Sequence, residues 1–386
     1  MSSFSSNHST RSLSRYASLF IALAISVFAS SLRAEDAPIK IGAYASLTGK
    51  EANWGQSYQR GVRLAEDELN ASGGVLGRKV EVIMEDDQSK AGESATSVRK
   101  LITRDKVVAI CGEISSGRSL EAAPVCQQLK VPMISSGSNP KVTETGNYIF
   151  RIAFIDPFQG TVMAVFCQKK LGVHRVALLV DVTSAYSVSL AKYFKERFVA
   201  DGGTILLEQK YSGGEKDFKA QLTAIKAANP EALFVPGYYT EAGLIVAQAR
   251  QIGITVPLTG GDGWSAPQLV ETAGAALDNT YFCDAFANEF EYGPTQAFIK
   301  KYRERYKIDP DSVAPHGFDA VMFVADAIRR SSSTDSAKVR DAMAVTKQFP
   351  GSSGEITVDG QRNVTKPGFI MTVKDGHFKF VEAVMP

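Results

Sequence analysis

Short apolar runs alternate with amphipathic stretches along almost the whole chain, a pattern that predicts strands of a parallel sheet separated by helices. Lys40 to Tyr44 reads as a strand. Gln56 to Ser72 reads as a helix carrying Tyr58, Val62, Ala65 and Leu69 on one face, with Gly73-Gly74 as its stop. Val80 to Glu85 is the next strand. The second half starts the same way: strand Arg175 to Asp181, helix Val188 to Ala200, stop Gly202-Gly203, strand Thr204 to Glu208. An aromatic beside a small residue precedes each of these first helices, Trp54-Gly55 and Tyr186-Ser187.

A longer unit also recurs. The apolar run Val107 to Cys111 ends at Gly112, and a Ser-rich turn opens a helix whose apolar period is visible from Leu120. Val131-Pro132-Met133-Ile134 follows, then the turn Ser135 to Asn139. In the second half, Leu233 to Pro236 ends at Gly237, and Tyr238, Tyr239 and Thr240 open a helix. That helix leads to Val256 to Thr259 and the turn Gly260 to Trp264. Gly112 to Pro132 and Gly237 to Pro257 are both 20 residues. Two related α/β lobes follow, with polar turns at strand ends, where open α/β sheets bind ligands.

The remainder places the crossings between lobes. Tyr148 to Pro157 reads as a strand leaving one lobe for the other. After Cys283 an irregular aromatic-rich stretch leads to helices Gln296 to Tyr306 and Phe318 to Arg330. The loop Ser331 to Asp335 and a short helix, Lys338 to Val345, come next. Gly354 to Val384 alternates like strands and hairpins, with Lys374 to His377 as a tight turn. The expected division is residues 35–156 plus 285–346 in the first lobe and 157–284 plus 347–386 in the second.

Residues 1–34 are set apart. Arg11 and Arg15 precede the apolar run Leu19 to Phe28, and Ala34 offers a small residue for cleavage before Glu35, the pattern of a signal peptide. The run is too short for a resident span, and no Cys near the cleavage site offers a lipid anchor, so an exported, soluble protein is expected. Removing the leader leaves 352 residues, enough for two domains, and lowers the net charge from +2 to −1. That balance argues against a nucleic-acid partner, which needs a basic patch. Cys111, Cys126, Cys167 and Cys283 fit no zinc or redox spacing and read as buried small residues.

Ile41-Gly-Ala-Tyr-Ala-Ser-Leu-Thr-Gly49, Asn70 to Gly77, Val131 to Pro140, Val235 to Tyr239 and Gly260-Gly-Asp-Gly-Trp264 resemble the leucine/isoleucine/valine-binding family of ABC importers. These are type I periplasmic binding proteins, and the resemblance covers the whole mature chain. It implies an α/β fold of two Rossmann-like lobes with parallel sheets, joined by three crossover hinges and closing on a ligand. The function implied is capture of an amino acid, first among them a branched-chain one, for delivery to a membrane permease, with no cofactor and no catalysis; a monomer is expected. The alternative is a periplasmic sensor module for amino acids, amides or aromatic carboxylates.

An amino acid in a dry cleft needs both of its charges matched, because an unpaired buried charge is very costly. Ser115 and Ser116 stand at a helix start, where N–H groups favour a carboxylate, with Ser136 and Ser138 on the neighbouring strand-end turn. Plain N-capping competes with that reading. The resemblance implies Ser116 for the carboxylate, and Ser138 with the Ser136 carbonyl for the ammonium. Asp262, in its Gly-flanked turn, is the natural counter-ion of the ammonium. Trp54 from the first lobe and Tyr186 and Tyr238 from the second would wall the ligand, and Phe318 would complete the pocket. Arg118 is expected to point to solvent, and His174, His316 and His377 show no metal spacing and read as surface or packing residues.

Two enzyme readings fail. Gly261 to Ala266 matches a loose G-x-G-x-x-A, with Asp284 placed 23 residues on. Asp262, however, would then set a negative charge beside a pyrophosphate. A hydrolase lacks a G-x-S-x-G elbow and a His placed to serve Ser116.

Overall fold

A computed structural model describes residues 37–385, besides the first two residues of the chain; the expected signal peptide otherwise lies outside the described residues. The first sheet contains β1 (Ile39–Ala45), β2 (Val80–Asp86), β3 (Ile110–Gly112), β4 (Met133–Ser135) and β5 (Ile149–Arg151). All are parallel, in the order β2-β1-β3-β4-β5. The second contains β6 (Arg175–Asp181), β7 (Thr204–Tyr211), β8 (Ala232–Phe234), β9 (Leu258–Gly260) and β10 (Thr280–Asp284) in the order β7-β6-β8-β9-β10. This is the same winding five strands later, and it gives the internal repeat its structural meaning. Helices cover both faces of such sheets, so the strands are apolar throughout rather than alternating; six of the seven residues of β6 are buried. Two antiparallel strands, β14 (Gly368–Lys374) and β15 (His377–Val384), extend the second sheet beyond β10.

Three segments join the lobes. The chain leaves β5 at Arg151 and enters the second lobe in the helix Asp156–Lys169. It returns after Asp284, and the helix Ala314–Ser331 packs back on the helix Ala52–Ala71. The approach is close enough that a Cβ on Gly61 would lie 1.9 Å from the Ala314 carbonyl oxygen, and one on Gly317 2.3 Å from that of Tyr58.

The third crossing departs from the expected boundary. A small sheet of β11 (Phe349–Gly351), β12 (Gly354–Val358) and β13 (Val364–Thr365) stays with the first lobe. Phe349 packs on Phe323 with ring centroids 5.4 Å apart. Asn363 Oδ1 accepts from Thr143 Oγ1 at 2.9 Å and from Arg151 Nε at 3.0 Å. The crossing therefore falls between Thr365 and Gly368, not at residue 347. The physical reason is the fully buried Arg151 guanidinium at the sheet edge, which the 359–363 turn supplies with an acceptor.

Helices begin earlier than their apolar periods suggest. The expected starts Gln56, Val188 and Phe318 become Ala52, Ala185 and Ala314. Trp54-Gly55 and Tyr186-Ser187 thus sit inside first turns, and Ser184 caps the second of these helices by accepting from the Ser187 amide. Those first turns face the cleft between lobes, so they carry no apolar stripe for a core. Arg118 also departs from expectation. It is buried, with Nε 3.1 Å from Glu51 Oε2 and 3.8 Å from Asp87 Oδ1, where it balances the two buried carboxylates. All four cysteines are buried and unbridged. Among the described residues no helix is long and apolar enough to cross a membrane.

Candidate functional site

The carboxyl ends of β3 and β4 in one lobe face those of β8, β9 and β10 in the other. β4 runs into the turn Ser136-Gly137-Ser138, held by Ser135 Oγ accepting from the Gly137 amide at 3.0 Å. The turn lies so close to the helix Ser116–Leu129 that a Cβ on Gly137 would stand 2.9 Å from Ser116 Cα. Ser116 Oγ accepts from the Asn139 amide at 3.2 Å and ties turn to helix. Across the cleft, β9 ends in the turn carrying Asp262, where Tyr186 accepts at its hydroxyl from the Gly263 amide at 3.1 Å.

Between them is a cavity. Six of the residues expected at a site line it: Trp54, Ser136, Ser138, Tyr186, Tyr238 and Asp262. Three others stand elsewhere. Ser116 is buried, and its hydroxyl accepts from the Asn139 amide. Ser115 lies outside this wall, its hydroxyl 3.2 Å from that of Tyr238 across the interlobe boundary. Phe318 packs on Phe298, with centroids 5.1 Å apart, and does not reach the cavity. The start of its helix that does reach the cavity carries His316, preceded by Ser312 and Val313; a residue two beyond His316 points to the opposite side, into the core.

The aromatic residues form a connected wall. Tyr186 stacks on Tyr238 at 5.1 Å and 15°, and Trp54 meets Tyr238 edge-on at 4.9 Å. The lobes are closed. Trp54 Nε1 donates to the Ser265 carbonyl at 2.8 Å and Asn53 Nδ2 to Gln268 at 2.7 Å. Asn139 Nδ2 donates to the Ala185 carbonyl at 2.8 Å and the Tyr239 hydroxyl to that of Lys50 at 3.0 Å.

The cavity wall is acidic and contains no Lys or Arg. Burial pushes the Asp262 carboxyl up to about 7, and the nearby Asp156 adds to the shift. Burial likewise raises Asp284 to about 7, against hydrogen bonds from Ser265, Ser312 and the Ala285 amide that favour its charge. Asp156, buried behind them, rises to about 6 for the same reason. Asp262 and Asp284, held above their ordinary range on a cavity wall without Lys or Arg, suit a ligand that brings a positive charge. Two lining residues also have polar atoms with no hydrogen-bond partner: the Ser136 hydroxyl and both ring nitrogens of His316.

Sequence reasoning missed His316, Ser312, Val313, Ala285, Gly263 and Ile114 and gave Asp284 a role only in a rejected reading. Asp284 ends a strand as the Asp262 turn does, which was a usable signal. His316, one residue after Pro315 at a helix start, gave none, because only the return crossing brings it to the cleft.

Two lobes of one winding, closed over a polar cavity at their facing strand ends, define a ligand-binding clamp. The chain belongs to the periplasmic binding protein family, whose profile matches residues 38–377. It is 28% identical over 353 residues to a Leu/Ile/Val-binding protein homologue of Brucella suis, covering 90% of this chain and 94% of that one. Two crystal structures are similar at 35% identity. The leucine-binding protein LivK of Thermotoga maritima has a TM-score of 0.87, with 90% of this chain and 99% of that one covered. LivJ of Streptococcus pneumoniae, a branched-chain amino acid transporter substrate-binding protein in complex with isoleucine, has 0.86, with 91% and 100% covered.

Proposed function

We propose that this protein is the extracytoplasmic solute-binding component of an ABC importer, capturing an amino acid, with the branched-chain ones first, and delivering it to a membrane permease. The single observation that carries the reading is Asp262, a carboxylate on a cavity wall without a cation, facing the Ser136–Ser138 turn of the other lobe. In this reading the ligand's ammonium pairs with Asp262 and meets Ser138 and the Ser136 carbonyl. Its carboxylate takes the Ser136 hydroxyl and the amides at the start of the helix Ser116–Leu129, with Ser115 and Ser116 shaping that end. Trp54, Tyr186 and Tyr238 enclose the rest. The names and ligand of the Brucella, Thermotoga and Streptococcus relatives support this choice.

The protein binds its ligand and does not transform it. Export by residues 1–34, residence in the periplasm and a monomeric state complete the proposal. A thermal-shift screen of ligand-stripped protein against the amino acids, amides and aromatic carboxylates tests it, since a ligand at 100 times its Kd adds about 2.7 kcal/mol. Stabilisation by leucine, isoleucine or valine is expected. A shift with aromatic carboxylates alone would remove the ammonium role of Asp262.

A further inference from the structure

His316 is 4% exposed, lines the cavity, and has no partner at either ring nitrogen. Buried polar side chains are nearly always hydrogen-bonded, and an orphaned one carries its full desolvation cost. The nearby Ser312 hydroxyl meets Ser265 Oγ at 2.8 Å and not the imidazole. Asp284 is engaged by the Ala285 amide at 2.7 Å. Burial, with Lys366 nearby, holds the imidazole well below its ordinary pKa, so it is uncharged and presents one donor and one acceptor. His316, Ser312, Asp284 and Ala285 line the cavity from the segment where the chain crosses back from the second lobe, whereas Ser136 and Ser138, assigned above to the ligand's α-carboxylate and ammonium, line it from the turn after β4. A side chain ending in a hydroxyl or amide matches a neutral imidazole; a carboxylate there would face Asp262 and Asp284.

We infer that the cavity reads the ligand's side chain through His316 and, alongside aliphatic side chains, takes α-amino acids ending in a hydroxyl or an amide. The inference rests on the amino-acid reading of the site. A wholly apolar pocket disfavours threonine against its isostere valine by on the order of a hundredfold, whereas a pocket that hydrogen-bonds the hydroxyl does not.

The test is calorimetric titration of ligand-stripped protein with two near-isosteric pairs, valine with threonine and leucine with asparagine, repeated on His316→Leu and His316→Gln. The wild type is expected to bind threonine and asparagine within about threefold of their partners, or more tightly. His316→Leu should shift both ratios by about tenfold or more toward valine and leucine, and His316→Gln should retain the wild-type ratios. Should His316→Leu fail to fold, the wild-type ratios and His316→Gln decide. A wild type that binds valine and leucine but disfavours threonine and asparagine by more than about tenfold overturns the inference and leaves the amino-acid reading standing. Ratios unmoved by His316→Leu overturn it too. Binding of none of the four overturns both.

Discussion

Asp262 and Ser136 stand on facing walls of one cavity; no Lys or Arg on those walls meets Asp262, and the Ser136 hydroxyl has no partner. Asp262→Ala should weaken amino-acid binding by about 2–5 kcal/mol, the loss usual for one partner of a buried charge pair; calorimetry that finds unchanged affinity would take Asp262 out of the site. Its pKa fixes the direction of a pH effect. The ammonium pairs only with the ionised carboxyl, so below about 7 binding must expel a proton. Affinity should rise with pH between about 5 and 7, by up to about tenfold per unit, and level off above; Asp262→Asn should flatten that slope. Ser136→Ala should cost ligand affinity, about 1–3 kcal/mol, while leaving the unliganded melting temperature unchanged or slightly raised, because the hydroxyl it deletes has no partner.

Paired helices set the first lobe's geometry at the scale of elements. Ala52–Ala71 and Ala314–Ser331 touch backbone to backbone at Gly61 and Gly317, which brings the wall of Ser312, Val313 and His316 to the cleft. Gly317→Ala should push the helices apart, destabilising the fold by about 1–3 kcal/mol in urea titration and weakening ligand binding as well. Loss of stability with full affinity would mean that the wall tolerates the displacement. Ser135, Gly137 and Ser116 do the same for the opposite wall by locking turn to helix, so Ser116 acts there as a positioning residue.

Closure belongs to the whole molecule. Hydrogen bonds from Asn53, Trp54, Asn139 and Tyr239 span the cleft, yet the raised carboxyls disfavour shutting it around an empty, ionised cavity. A ligand carrying the missing charge shifts the population toward the closed form. Small-angle scattering should therefore show a larger radius of gyration for ligand-stripped protein at pH 8 than for the same protein with saturating ligand. Equal radii would mean that the clamp shuts unaided. Trp54→Phe, which loses the bond to Ser265, should lower affinity modestly, by about 0.5–1.5 kcal/mol.

The alternating periods, the doubled Gly-to-Pro spacing and the polar strand-end turns were enough to read two α/β lobes with polar turns at strand ends, because each is a local consequence of strand and helix geometry, whereas Ser136, Ser138 and Asp262 were singled out with the help of the family resemblance. Helix starts were read late, since turns that face a cleft carry no apolar stripe. What only the tertiary structure decided lies on the crossings. The buried Arg151 draws residues 349–365 to the first lobe, Phe318 turns into the core, and Ser312 and His316 arrive at the cavity beside Asp284. These depend on contacts between segments far apart in the chain, which no local period encodes.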